Sequence, residues 1–208
     1  MKKSSTPNLN TRSQLILAKN ISKMSASMQE AAANGELKYS DGYYFKRFAL
    51  PTSASGMQDI LLNDDAQKDG YCSISKQKIQ QGCAFECDRL TFKVYAVATS
   101  SLASGADAGS VTYGTVAAAT LVPILQAAEL EITVNGIRQF MAPVNAFNHE
   151  TCNSNSDKDG INLSAPFFVN DEQLLQFRLH LPQSKSIDSS VSVFVEVAMY
   201  GAECRITR

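Results

Sequence analysis

The stretch 191–200, V-S-V-F-V-E-V-A-M-Y, constrains this chain most. Valine or methionine holds every odd position from Val191 to Met199, and Ser192, Glu196 and Tyr200 lie on the other side. An extended backbone sends successive side chains to opposite faces, so this alternation predicts a β-strand. β-Branched valines favour the same backbone. Upstream, Leu175, Phe177, Leu179 and Leu181 alternate with Gln176, Arg178 and His180 and stop at Pro182. That is a second strand with one dry and one wet face. The polar loop 183–190 joins the two, and they are expected to pair antiparallel, with further strands packing onto them.

A chain of 208 residues suits one domain, or one domain with an arm. A domain of this size buries roughly 70% of its unfolded surface, so it needs neither metal nor disulfide to be stable. The charge is uneven. Residues 1–29 carry Lys2, Lys3, Arg12, Lys19 and Lys23 and no acid, whereas the remainder holds 14 basic and 20 acidic residues, a net −6. A basic arm thus precedes an acidic body. Lys2 and Lys3 lead into a polar stretch, and Leu15-Ile16-Leu17-Ala18 is too short for the apolar core of a secretory leader. The longest apolar stretch, 116–128, is interrupted by Thr120, Pro123 and Gln126 and is too short to span a bilayer. The expected compartment is the cytosol, which fits five cysteines kept as free thiols.

Residues 1–10 are polar. Leu15, Ala18, Ile21, Met24, Ala26 and Met28 then recur near helical spacing, with Asn10 or Thr11 as a start and Asn34-Gly35 as a stop. One amphipathic helix over 13–33 is expected. Beyond Gly35 the pattern is β. Asp41-Gly42 reads as a hairpin turn between 37–40 and 43–50, and Asn135-Gly136 as a type I′ turn within 130–140. Residues 57–62, 71–75, 90–97 and 167–169 are further extended segments. Residues 96–119 are mostly Ala, Gly, Ser and Thr with Asp107 the only charge, which suits a flexible loop or a close-packed contact surface. Residues 121–128 are expected to form a short helix with Pro123 in its first turn. Eight or nine strands and one internal helix predict an all-β antiparallel sandwich, with a jelly roll as its topology.

Candidate sites are few. Asn155, Asp157 and Asp159, followed by Gly160, resemble the first half of a calcium loop, but the twelfth position is Pro166 where a bidentate glutamate belongs. An Asx-rich turn explains the same residues. Cys83, Cys87, His149 and Cys152 form a ligand set zinc would accept, at poor spacing. Buried cysteines are commonly small apolar side chains. Cys152 and His149 lack an orienting third group and an oxyanion site, and the glycines at 105, 109 and 114 make no phosphate-binding pattern. No cofactor and no enzymatic activity are expected. Tyr43 and Tyr44 could stack a sugar or a base, against ordinary core or edge packing.

The C-terminal third joins Ala165-Pro166-Phe167-Phe168-Val169 to a strand ending in Leu181-Pro182, a polar loop, and a valine-rich strand closing on Tyr200-Gly201 and Arg205. This resembles the closing segment of jelly-roll capsid proteins of bacterial viruses, and the basic arm is similar to arms that line a capsid interior. The resemblance covers about 45 residues of the C-terminal third and contains no diagnostic motif. It implies a non-enzymatic virion subunit, assembled in the host cytoplasm as a symmetric oligomer.

The sequence therefore predicts a basic arm and helix over 1–36 and a jelly-roll sandwich over 37–208. The expected function is self-assembly as a virion shell subunit. Its partners would be copies of itself and other virion proteins, with Lys2, Lys3, Arg12, Lys19 and Lys23 contacting packaged nucleic acid, an internal membrane or a neighbouring subunit. The alternative is a ligand- or carbohydrate-binding sandwich of a viral fibre or tail. A jelly-roll hydrolase is the third class, and it lacks clustered acid and base residues.

Overall fold

The computed structural model describes residues 17–114, 122–147, 160–183 and 186–207. Its strands are β1 (Leu37–Leu50), β2 (Met57–Asp59), β3 (Cys83–Ala98), β4 (Glu129–Val134), β5 (Ile137–Pro143), β6 (Gly160–Asn170), β7 (Leu175–His180) and β8 (Val191–Ile206). They form two four-stranded sheets, ordered β1-β8-β3-β6 and β2-β7-β4-β5, and every pairing is antiparallel. First pairs with last, second with seventh, third with sixth and fourth with fifth, as if one long hairpin had been rolled up. That is an eight-stranded jelly roll, as the alternating segments predicted.

Between the sheets lies an apolar core. β8 supplies Val193, Val195, Val197 and Met199, β3 supplies Phe85, Leu90 and Phe92, and β7 supplies Leu175, Phe177 and Leu179. The period-2 stretches at β7 and β8 thus put their predicted dry sides inward. The helix α2 (Pro123–Gln126) starts with Pro123 at its first turn and buries Ile124 and Leu125 in the same core. The described end of the apolar stretch 116–128 is therefore core, not exposed surface.

Three expectations are corrected. β7 and β8 do not pair: they lie in different sheets, and the connection between them crosses the sandwich. Period 2 fixes which side of a strand is dry but does not name its neighbour. Asp41-Gly42 is not a turn, because β1 runs straight through it. Gly42 is needed for close approach: a Cβ there would lie 2.9 Å from the Phe85 ring and from Glu203 Cβ. Asn135-Gly136, by contrast, is the expected turn, with positive φ at both residues.

The single helix expected over 13–33 is broken. A helical turn ends at Ala18, a 3-10 turn spans Ile21–Lys23, and α1 covers only Ala26–Asn34. Ser25 is extended, at φ −60° and ψ 157°, where the chain changes direction. Gly35 closes α1 in the left-handed region at φ 72°, as predicted. Leu17, Met24 and Met28 pack on Ala84, Ala202 and Cys204 of the first sheet's outer face. Small residues there let the segment approach the strands closely.

All four sheet edges are guarded. β1 is flanked by residues 71–73, through Arg47 N–H to the Tyr71 carbonyl (2.7 Å) and Ser73 N–H to the Phe45 carbonyl (3.0 Å). β2 is only three residues long. β5 skips Gln139 in its register and ends at Pro143. β6 bulges between Asn162 and Phe167, with Pro166 inside the bulge. Bulges, prolines and short strands all resist the addition of another strand.

Candidate functional surface

Among the described residues, the outer faces of the two sheets present side chains for contact. On the first sheet, β8 is a central strand, covered by β1 on one side and β3 on the other. Its predicted outer residue Glu196 is consequently not wet: it is 2% exposed. Arg47 of β1 and Lys93 of β3 stand directly opposite Glu196 in register. The Arg47 Nε donates to Glu196 Oε2 at 2.6 Å, and Lys93 Nζ lies 3.9 Å from Oε1. A carboxylate taken out of water in this way requires such partners.

Around that ion group runs a row of stacked planes. The Arg89 guanidinium lies over the Tyr200 ring at 5.7 Å, and Tyr200 is 4.8 Å from Tyr43. Tyr43 stacks on Phe45 at 5.1 Å with 20° between planes. The Arg47 guanidinium then sits 5.1 Å over Phe45 and 5.2 Å over Tyr113. Alternation along β1 puts residues 43, 45 and 47 on one face, and pairing with β8 brings Tyr200 beside Tyr43. Tyr43 is 40% exposed. Its hydroxyl is held well above the ordinary tyrosine range, first by burial and then by the charge of Glu196. Tyr44, next in sequence, points inward and donates to Glu203 Oε1 at 3.2 Å. Sequence reasoning singled out Tyr43 but not the row, whose members come from β1, β3, β8 and a loop.

The second sheet's outer face is a polar network. Glu131 Oε1 accepts from Arg138 Nε and Oε2 meets His180 Nε2, both at 2.8 Å. These two contacts hold the Glu131 carboxyl below its usual range. Asp59 and Gln176 take up Arg178, and Gln176 also accepts from Thr133. A cleft of about 370 Å³ adjoins His180 at Glu129, Pro143 and Pro182. Among the described residues that line this cleft there is no serine, threonine or cysteine. Exposed Met57, Leu62, Ile137, Met141 and Leu174 rim this sheet and its loops.

Of the predicted arm cations, Lys19 and Lys23 are exposed and flank Glu86. Asn20 donates to the Glu86 carboxylate, and the Asn170 side chain donates to the Lys23 carbonyl at 2.9 Å. The described part of the arm is therefore tied to its own body. Glu86 titrates above its ordinary value, chiefly through burial, with Lys23 opposing. Lys2, Lys3 and Arg12 lie outside the described residues, as do the calcium candidates Asn155, Asp157 and Asp159 and the zinc candidates His149 and Cys152.

Cys83 and Cys87 share one face of β3 and are buried in the core. Burial pushes the Cys83 thiol up to about 12 and raises that of Cys87 as well. Cys72, Cys83, Cys87 and Cys204 are free thiols. Among the described residues, no three metal-ligating side chains converge, and no helix is long and apolar enough to cross a membrane.

No protein-family model matches the sequence, and no curated protein matches it. Solved structures that align with it include two of low similarity. A chain of the acid-stable capsid of Helicobacter pylori bacteriophage KHP30 aligns at TM-score 0.31 and 5% identity, over 79% of this chain and 92% of that one. Dimeric latent PorU from Porphyromonas gingivalis aligns at TM-score 0.25 and 15% identity, over 80% of this chain and 13% of that one. Neither likeness is close enough to carry an argument; the jelly roll stands on its own strand order.

Proposed function

We propose that this protein is a non-enzymatic structural subunit of a virion shell, the capsid of a bacterial virus, that self-assembles in the host cytoplasm. The observation that carries the reading is the jelly roll's combination of four guarded edges with two side-chain faces open to partners. Jelly rolls also serve lectins and cupins, so fold alone does not choose between them. A cupin-like enzyme needs several metal-ligating side chains converging between the sheets, whereas among the described residues that space is mainly apolar, with Tyr44 and Glu203 paired to each other near one end. A sugar platform needs free ring faces, and the faces of Tyr43 are taken by Phe45 and Tyr200. A shell subunit needs edges that resist indiscriminate pairing, and the guarded edges here support that reading.

In this reading the partners are copies of the chain and other virion proteins. Lys2, Lys3, Arg12, Lys19 and Lys23 turn towards packaged nucleic acid, an internal membrane or a neighbour. Electron microscopy of the purified full-length protein tests the reading. Closed shells or rings of uniform size are expected, and a field of single subunits at high concentration contradicts it.

A further inference from the structure

We propose that Asn135, at the tip of the β4–β5 hairpin, is a site of spontaneous modification, poised by the fold to lose ammonia to the neighbouring Gly136 amide and to become isoaspartate. The inference does not depend on the assembly reading above.

Asparagine followed by glycine occurs twice, at Asn34-Gly35 and Asn135-Gly136, and all four residues are exposed. The reaction needs a nucleophile, the backbone nitrogen of the glycine, and an electrophile, the side-chain Cγ of the asparagine. The two sites differ in both. At the end of α1 the Gly35 N–H donates to the Ala31 and Ala32 carbonyls, so the nitrogen is tied into the helix cap. At the hairpin tip the Gly136 N–H donates to no group among the described residues, and the space where its side chain would stand is open. Water and base therefore reach that nitrogen.

The electrophile is prepared as well. The Leu174 N–H donates to Asn135 Oδ1 at 2.8 Å. An N–H only donates, so the atom it meets is the amide oxygen and not the amide nitrogen. Negative charge gathers on that oxygen as Cγ becomes tetrahedral, and a fixed donor at this distance stabilises it, as in an oxyanion hole. The Asn135 N–H in turn donates to the Leu174 carbonyl at 2.8 Å, which holds the two residues in place. Gly136 N forms a bond to Cγ, the Cγ–Nδ2 bond breaks, and the leaving nitrogen takes up the Gly136 amide proton and departs as ammonia. Water then opens the cyclic imide. Opening at the main-chain carbonyl leaves the chain running through Cγ, which is isoaspartate. Its extra backbone carbon does not fit a two-residue turn with positive φ at both positions. The hairpin tip is then released from the β6–β7 connection.

The test incubates the unmodified full chain at mildly alkaline pH, native and in urea, and follows both sites by peptide mapping with isoaspartate-specific fragmentation. In urea the two sites should convert at similar rates. In the native protein Asn135 should convert at least roughly ten-fold faster than Asn34, a cautious fraction of what one oxyanion donor provides. The aged protein should also lose hydrogen-exchange protection at the Leu174 amide, whereas Asn135→Asp, which keeps an acceptor for it, should retain that protection. Asn135 that survives native incubation, or that converts no faster than Asn34, overturns the inference and leaves the assembly reading untouched.

Discussion

Gly42 of β1 stands directly across from Gly201 of β8, and neither has room for a methyl group. At Gly42 a Cβ would press on the Phe85 ring, a side chain that can give a little. At Gly201 it would overlap the Glu86 carbonyl, which is backbone. The register of β3 slips between Cys87 and Arg89, so the bulge brings its backbone onto β8 at this point. Gly42→Ala should therefore cost about 1–3 kcal/mol, and Gly201→Ala should cost more, because overpacking against backbone cannot be relieved by a rotamer. Urea unfolding of both variants checks the order. Equal losses would mean that β3 and β8 can separate locally.

The Arg47–Glu196 pair gives a second prediction. Arg47→Met removes the nearer cation from the carboxylate of a residue that is 2% exposed and leaves it Lys93, 3.9 Å away. Breaking a buried pair from one side costs roughly 3–5 kcal/mol. The double variant Arg47→Met, Glu196→Met should recover much of that loss, since it strands no charge. A double-mutant cycle on unfolding free energies measures the difference.

Acid stability should depend on Glu131. Arg138 and His180 hold its folded-state pKa below the unfolded value, which is near 4.5. Such a group stabilises the fold above the unfolded pKa, and the contribution fades as pH falls through the folded pKa. Glu131→Gln should therefore flatten the decline in stability below pH 4.5 relative to wild type. Thermal melts from pH 7 down to pH 3 would display it, and parallel curves for the two proteins would contradict it.

The thiols give a fourth. Cys83 and Cys204, both titrating at about 12, stay protonated at neutral pH, and all four described cysteines are buried. A maleimide followed by peptide mapping should leave Cys72, Cys83, Cys87 and Cys204 unmodified in the native protein and label them after denaturation. Rapid native labelling of Cys83 would mean that the first sheet opens near β3.

How far the sequence was legible follows from how local each signal is. Asn135-Gly136 was readable because turn chemistry is a property of two adjacent residues. Val193 to Met199 was readable because a core strand repeats its signal every second position. Asp41-Gly42 misled because glycine serves both turns and close approach, and the ring that demands it, Phe85, lies far along the chain. The β7–β8 partnership misled because periodicity carries no information about neighbours. The burial of Glu196, on the other side of β8, was not readable because the side chains that cover it belong to β1 and β3. The stacked row was hidden for the same reason. Tyr43, Phe45 and Arg47 alternate visibly, but Tyr200, Arg89 and Tyr113 join them only once the strand order is known.

Sedimentation velocity of the full-length protein across a wide range of concentrations tests the central claim most directly. The account predicts discrete species much larger than the 22.6 kDa chain, growing with concentration towards a closed limit. A single boundary at the monomer mass over the whole range would contradict it.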